Sequence, residues 1–238
     1  RRTGKDAVRA VAAEIGDVAQ IEAGVLVDLL LSYRSVSDWQ AMVDLVDALP
    51  KPLCQSTLVR EQYGFALNRL GRKDEAQAVL KEVIALRGPS SETNGLLGRV
   101  YKDRWDAEQQ AGNAFAARGW LKMAIDTYLQ GFETDWRDAF PGVNALTLME
   151  IASPPDPRRS ELLPVVTYAV KRRIAKGTPD YWDHATLVEL AVLSRDQAAA
   201  EDAAANALAS VRERWEPETT ARNLSLIRAA RVASGNQP

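Results

Sequence analysis

Histidine and cysteine, two residue types that commonly perform catalysis, are scarce in this chain. His184 is the only histidine and Cys54 the only cysteine among 238 residues. A nucleophilic site would need His184 next to Cys54 or a serine, and a metal site would depend mainly on carboxylates. The sequence also lacks the GxxxxGK[ST] phosphate loop, the GxGxxG turn, the HExxH helix and the GxSxG elbow. We therefore predict no catalytic residue, no metal and no cofactor, with a hydrolase of irregular site as a remaining alternative.

Basic residues crowd one predicted helix. They are Arg158, Arg159, Lys171, Arg172, Arg173 and Lys176. Such a cluster favours contact with an anion or a phosphate, so we take Arg172 and Arg173 as secondary binding candidates. A solvated helix face is the alternative interpretation.

An aromatic run, Tyr181-Trp182-Asp183, follows a predicted helix start at Thr178-Pro179. An aspartate at this position complements the positive end of the helix dipole, which favours a structural role. Tyrosine and tryptophan also supply large contact areas at protein interfaces. Tyr181, Trp182 and Asp183 are therefore secondary binding candidates as well.

The overall composition excludes several classes of protein. An apolar content of 46% is typical of a globular chain, and 30 basic against 32 acidic residues leave a formal charge of −2. No global field attracts nucleic acid or anionic lipid, so the charge balance disfavours a nucleic-acid partner. The longest apolar stretch is too short for a membrane helix, and a single cysteine fits a reducing compartment. We expect a cytoplasmic protein without a membrane span.

The spacing of the apolar residues predicts helices throughout. Apolar side chains recur three and four residues apart, as they do between positions 39 and 49. Ser194 followed by Gln197 has the spacing of a capping box, which marks a helix start. The sequence therefore predicts an all-α protein.

An internal period indicates how these helices are arranged. Tyr63, Gly64 and Leu67 reappear 34 residues later as Leu97, Gly98 and Tyr101. This is the period of tetratricopeptide repeats, in which two antiparallel helices form each unit. We predict a tetratricopeptide-like α-α superhelix, or solenoid, of about twelve antiparallel helices.

The second helix of each unit shows where the period fails. Gly71 provides a turn, and Ala76 with Leu80 then supplies the small and large contacts of a second helix. The next such pair, Ala124 with Tyr128, comes later than one period allows. We interpret residues 105–119 as an inserted loop within a single repeat domain covering residues 1–238. Because the chain opens on arginine and not on methionine, we also expect a fragment of a longer protein.

The repeat register also selects candidate binding residues. In such units the first helix of each pair lines a groove. The side chains that this register directs inward are Glu61, Phe65, Asn68, Arg99, Lys102 and Asp103. Local ion pairing is the alternative role for Asp103.

Several local strings resemble one known family. They include LLLSYR at 29–34, MVDLV at 42–46, YGFALNR at 63–69, GRVYKD at 98–103, YWD at 181–183 and NLSLI at 223–227. These strings are similar to the central regulatory region of the apoptosis signal-regulating kinases, which is called the TRAFs-binding domain. The alanine- and arginine-rich texture of the chain resembles a bacterial relative more than an animal kinase.

The resemblance implies a tetratricopeptide-like platform that assembles signalling proteins. We therefore predict a non-catalytic protein-interaction scaffold whose protein partner is unknown. The alternative hypothesis is a regulatory domain that senses a nucleotide or another anionic ligand, bound by Arg99, Lys102 and the basic helix, and that is coupled to a separate effector domain.

Overall fold

The computed structural model describes residues 4–213 and 215–235, and regular structure in this part of the chain is entirely helical. Its α-helices are α1 (Lys5–Ile15), α2 (Ala23–Ser35), α3 (Trp39–Ala48), α4 (Lys51–Cys54), α5 (Thr57–Arg69), α6 (Lys73–Arg87), α7 (Ser91–Gln110), α8 (Ala114–Thr134), α9 (Ala139–Ile151), α10 (Arg159–Lys176), α11 (Tyr181–Ser194), α12 (Gln197–Ala209) and α13 (Trp215–Ala233). The all-α prediction is confirmed, with thirteen α-helices in the described residues. None of these helices has the length and apolar character needed to cross a bilayer.

Aspartates cap the helices where the sequence suggested other residues. Asp180 accepts the backbone N–H of Asp183, whose carboxylate accepts the N–H of Asp180 in return, so this capping box begins α11. At α12 the cap is Asp196, which accepts the N–H of Ala199. Ser194 does not fill the capping role we expected, because it is the last residue of α11 and Arg195 follows it in a left-handed conformation.

The chain forms two compact units, residues 1–100 and 101–238. In the first unit, α5 and α6 pack as a hairpin joined by a turn in which Gly71 has a φ of 79°. Gly64 of α5 approaches α6 closely, because a β-carbon on it would lie 2.8 Å from Cγ of Leu80. Ala76 and Leu80 are completely buried. This contact is the small-against-large packing that the repeat period predicts.

The core of the second unit gathers apolar side chains from five helices. Its buried members include Phe132, Val143, Leu146, Val166, Val170, Leu190 and Ile227. They come from α8, α9, α10, α11 and α13, so residues far apart in sequence share one core. The helices α11 and α12 form a further close pair, which alanine side chains such as Ala203 and Ala207 allow.

The predicted inserted loop at 105–119 is not a loop. Helix α7 continues to Gln110, and α8 begins at Ala114 after a three-residue turn in which Gly112 has a φ of 73°. The extra residues lengthen the helices, since α7 and α8 have 20 and 21 residues whereas α5 and α6 have 13 and 15. Gln110 donates to Asp106 one turn earlier at 3.0 Å, which supports the extended helix.

Candidate functional site

Phe65 is the centre of a cationic and aromatic surface in the first unit. The guanidinium of Arg34, on α2, lies 4.6 Å from the centre of the Phe65 ring, and that of Arg69 lies 5.1 Å from it. Trp39 meets the same ring edge-on, with ring centres 5.5 Å apart. We call Arg34, Trp39, Phe65 and Arg69 the Phe65 surface. Phe65 itself is half-buried and Arg69 is exposed.

The geometry of the Phe65 surface suits recognition of an acidic group. A guanidinium stacked on an aromatic ring keeps its N–H donors in its own plane, where they can bind a carboxylate with two hydrogen bonds. One donor of Arg34 is already positioned by Oε1 of Gln62 at 2.8 Å, which fixes the plane of the guanidinium. Two guanidinium groups therefore lie over one apolar ring, and a hydrogen bond orients that of Arg34.

Glu61 and Asn68 do not share this exposed position. Glu61 is 8% exposed, and its carboxylate accepts a 2.5 Å hydrogen bond from the Thr93 hydroxyl of α7. Burial raises the pKa of Glu61, although the Thr93 hydrogen bond opposes the rise. Asn68 is also 8% exposed. Glu61 and Asn68 therefore do not line an open groove, as the repeat register predicted, because both side chains are enclosed between packed helices.

Lys102 is the second correction among the predicted groove residues. It is 8% exposed, and its Nζ donates to Oδ1 of Asn223 on α13 at 3.3 Å. Arg99 and Asp103 are half-buried on α7. Lys102 therefore belongs to the interior of the second unit, and the predicted groove contact at this position is replaced by a contact with a helix 121 residues away.

A buried polar network surrounds Lys102 in the second unit. Asn223 donates to Oε1 of Glu189 at 3.0 Å, and the Thr147 hydroxyl donates to Oε2 of Glu189 at 3.3 Å. Burial raises the pKa of Glu189, and it outweighs the Asn223 hydrogen bond, the charge of Lys102 and the Thr147 hydrogen bond, all of which lower it. This network ties α7, α9, α11 and α13 together.

Glu189→Gln should change the pH dependence of stability. The folded protein holds a proton on Glu189 at a higher pH than the unfolded chain does, so this residue's contribution to stability is present at low pH. It is lost as the pH rises above the ordinary value of 4.5 and through the raised pKa. Urea unfolding of both proteins across this range should show glutamine becoming relatively more stabilising as the pH increases. A pH-independent difference would contradict the raised pKa.

The Tyr181-Trp182-Asp183 run is largely structural. Tyr181 is 3% exposed and its hydroxyl shares a 2.8 Å hydrogen bond with Thr220. The carboxylate of Asp183 accepts the backbone N–H of the N-cap residue Asp180 and forms an ion pair with Nε of Arg173 at 2.6 Å. Trp182 is 38% exposed, so it is the member of this run that retains surface for a partner. The binding roles proposed for Tyr181 and Asp183 are corrected accordingly.

Two arginines, Arg159 at the start of α10 and Arg231 in α13, meet the buried carboxylate of Glu150. Nε of Arg231 donates to Oε1 of Glu150 at 2.7 Å, and both side chains are about as buried as the apolar core, at 6% and 5% exposed. Arg159 pairs with the other oxygen of Glu150. Arg231 also donates to the carbonyl oxygen of Val192 at 3.0 Å. Two guanidinium groups therefore share a single negative charge.

Arg159, one of the two arginines that pair with Glu150, also lines a cavity of about 320 Å³ in the second unit. Leu146, Leu163 and Leu193 form its apolar wall, and Arg159 and Arg195 supply its positive charge. Arg195 at this cavity, like Arg34 and Arg69, was not selected by the sequence analysis as a binding candidate. The string LLLSYR at 29–34, which resembles the family, could have indicated Arg34 as a binding residue. No local pattern in the sequence marks Arg195.

The other residues singled out in the sequence belong neither to the Phe65 surface nor to the lining of the cavity. They are Arg172, Cys54 and His184. Arg172 is exposed on α10 and makes no ion pair within the described ranges. Cys54 lies in α4 of the first unit and His184 in α11 of the second. The described residues contain no group of three histidine, cysteine or acidic side chains arranged to hold a metal ion.

Comparison with known proteins supports the resemblance noted in the sequence. The MAP3K TRAFs-binding domain family matches residues 2–238. The chain is 28% identical over 219 residues to the mitogen-activated protein kinase kinase kinase nsy-1 of Caenorhabditis elegans, covering 84% of this chain and 14% of that protein. It is 26% identical over 226 residues to mitogen-activated protein kinase kinase kinase 15 of Mus musculus, covering 89% and 16%. The chain thus spans about one seventh of the length of these relatives.

The fold has a counterpart among solved structures. A thermophilic TPR protein of Thermus thermophilus superimposes with a TM-score of 0.62 at 15% identity, covering 85% of this chain and 99% of that one. This likeness confirms the tetratricopeptide-like fold and carries no information on partners. The family match extends over the whole length of the sequence except its first residue. The chain belongs to the MAP3K TRAFs-binding domain family.

Proposed function

We propose that this chain is a non-catalytic, cytoplasmic protein-interaction scaffold in signalling, and that the Phe65 surface contacts its partner. The family is described by the binding of TRAFs, which supports a protein ligand for this chain as well. The observation that carries the proposal is the position of the guanidinium groups of Arg34 and Arg69 over the Phe65 ring, at 4.6 and 5.1 Å from its centre. Arginine and tryptophan, both present in this surface, are among the residue types that contribute most binding energy at protein interfaces.

The charge of the Phe65 surface indicates the chemistry of the partner. Two guanidiniums beside an aromatic ring complement a segment in which an acidic residue adjoins an apolar one. The Trp39 edge restrains the ring, so little side-chain freedom is lost on binding. We therefore expect the partner to present aspartate or glutamate next to an apolar side chain.

Phe65→Ala should weaken partner binding by about 2 kcal/mol, or roughly thirtyfold. The truncation removes both the apolar contact and the platform that orients Arg34. Proteins captured from lysate by the wild-type chain are identified by quantitative mass spectrometry, and the affinity of the purified partner is then measured by titration. Arg34→Gln should weaken the same partner while leaving the ring in place.

Leu86→Ala is the matched control for this experiment. Leu86 is 73% exposed on α6, in the same unit, and is not part of the Phe65 surface. Its truncation should leave both the melting temperature and the affinity unchanged. Equal affinity of wild type and Phe65→Ala, with both proteins folded, would show that the Phe65 surface is not the partner site.

A second candidate function is regulation by an anionic ligand. The observation that favours it is the pair of arginines at the cavity in the second unit, where Arg159 already shares its carboxylate with Arg231. Lys102 does not contribute to such a site, because it is buried against Asn223. The ligand would be bound by Arg159 and Arg195.

A further inference from the structure

The cavity in the second unit carries an excess of positive charge. Arg159 and Arg231 both pair with the single carboxylate of Glu150. Arg195, exposed at the end of α11, has no ion pair in the described part of the chain. The acid that follows it, Asp196, caps α12 by accepting the N–H of Ala199 and does not line the cavity. The charged side chains that line the cavity are those of Arg159 and Arg195, and of these two only Arg159 has an acidic partner, so an anion would offset the charge of Arg195.

The hydroxyl groups at the cavity rim do not compete as donors. Ser160 donates its hydroxyl hydrogen to the carbonyl oxygen of Pro157 at 2.9 Å. Ser194 donates its own to the carbonyl oxygen of Ala191 at 3.0 Å. The donors left for a ligand are therefore the guanidinium groups of Arg159 and Arg195.

The other part of the cavity lining is apolar. Leu146, Leu163 and Leu193 line it, and Leu146 and Leu193 also belong to the core of the second unit. A volume of about 320 Å³ lies at the small end of the range of about 300–1,000 Å³ found for ligand pockets. A bare inorganic anion would leave the leucine wall uncovered, whereas a ligand with a hydrocarbon body would cover it.

We propose that this cavity binds a small carboxylic acid with an apolar body. Its carboxylate contacts Arg159 and Arg195, and its hydrocarbon part lies against Leu146, Leu163 and Leu193. This assignment rests on the second candidate function and names its ligand class. It is independent of the Phe65 surface, which lies in the first unit.

Octanoate is a suitable probe, and n-octylamine is its control of equal length and opposite charge. The full chain is titrated with each compound while amide chemical shifts are recorded. Octanoate should shift amides of α9, α10 and α11 near the cavity and give a saturable curve, and octylamine should not. Acetate, which lacks the apolar body, should bind at least tenfold more weakly than octanoate because it leaves the leucine wall uncovered.

Arg195→Gln should weaken octanoate binding about tenfold, because a charge-assisted contact is lost. Arg195 is exposed, so this variant should fold. Arg172→Gln, on an exposed position of α10 that does not line the cavity, is the matched control and should leave the dissociation constant unchanged. Equal binding of octanoate and octylamine, or no effect of Arg195→Gln, would overturn the proposal.

A titration with ADP distinguishes a failure of the carboxylic-acid assignment from a failure of the second candidate function. If ADP binds in an Arg195-dependent way and octanoate does not, the carboxylic-acid class is wrong although the cavity still binds an anion. If neither compound binds, the inference and the second candidate function are both rejected. Displacement of bound octanoate by ADP would leave the carboxylate assignment supported and show that the same arginines accept a phosphate.

Discussion

Glu150→Ala is expected to lower the free energy of unfolding by about 3–5 kcal/mol. The carboxylate is 5% exposed and receives Nε of Arg231, itself 6% exposed, at 2.7 Å. Removing it leaves the Arg231 guanidinium inside the protein without a counter-charge. Burial lowers the pKa of Arg231, yet arginine keeps its proton in proteins, so the charge cannot be relieved by deprotonation. Urea unfolding of the wild type and the variant measures the loss.

The pair Arg60 and Glu82 provides the control for this prediction. Their side chains are 25% and 59% exposed with a comparable distance of 2.7 Å, so Glu82→Ala should cost about 0–1 kcal/mol. A Glu150→Leu/Arg231→Met double variant should recover most of the stability lost in Glu150→Ala, since no buried charge is left unpaired. A loss in Glu150→Ala as small as that in Glu82→Ala would contradict the burial of this ion pair.

The helical hairpins were predictable because they depend on local sequence. The repetition of Gly64 at Gly98 revealed the period, and the Ala76 and Leu80 pair identified the second helix of the unit. In the structure Gly64 meets Leu80 at a distance that excludes a β-carbon. Residues that contact each other within about one repeat leave a regular trace in the sequence, and that trace predicts the hairpin of α5 and α6.

The length of the helices between repeats was not predictable in the same way. A break in the period shows that residues 105–119 are extra, but it does not distinguish a loop from a longer pair of helices. The structure extends α7 and α8. The composition of the segment favours this outcome, because Asp106 and Gln110 are one helical turn apart and bond to each other.

The candidate site was least predictable where its partners are distant in sequence. The helix period placed Lys102 on one face of α7, but that face is covered by Asn223 from α13. The same holds for Glu150, which meets Arg231 across 81 residues. Periodicity identifies which residues share a face, whereas the element that covers the face is set by tertiary packing.

The second large effect is expected from Gly142→Ala in α9. A β-carbon at Gly142 would lie 2.7 Å from Cγ2 of Val166 on α10 and 2.9 Å from Cδ2 of Phe132 on α8. These neighbours are 0% and 1% exposed, so neither can move outward into solvent. Overpacking of this kind costs about 1–3 kcal/mol, and a thermal melt or urea titration measures it.

Two variants test whether the effect of Gly142→Ala comes from this close approach. Gly119→Ala adds the same methyl group to α8, where nothing lies within 4 Å, so it should stabilise the protein by about 0.5–1 kcal/mol through helix propensity. Val166→Ala removes the nearest obstruction, so the Gly142→Ala/Val166→Ala double variant should lose less stability than the sum of the two single changes. Strict additivity would mean that Gly142 and Val166 do not constrain each other. A gain in Gly142→Ala equal to that in Gly119→Ala would mean that α8, α9 and α10 pack less closely than the structure shows.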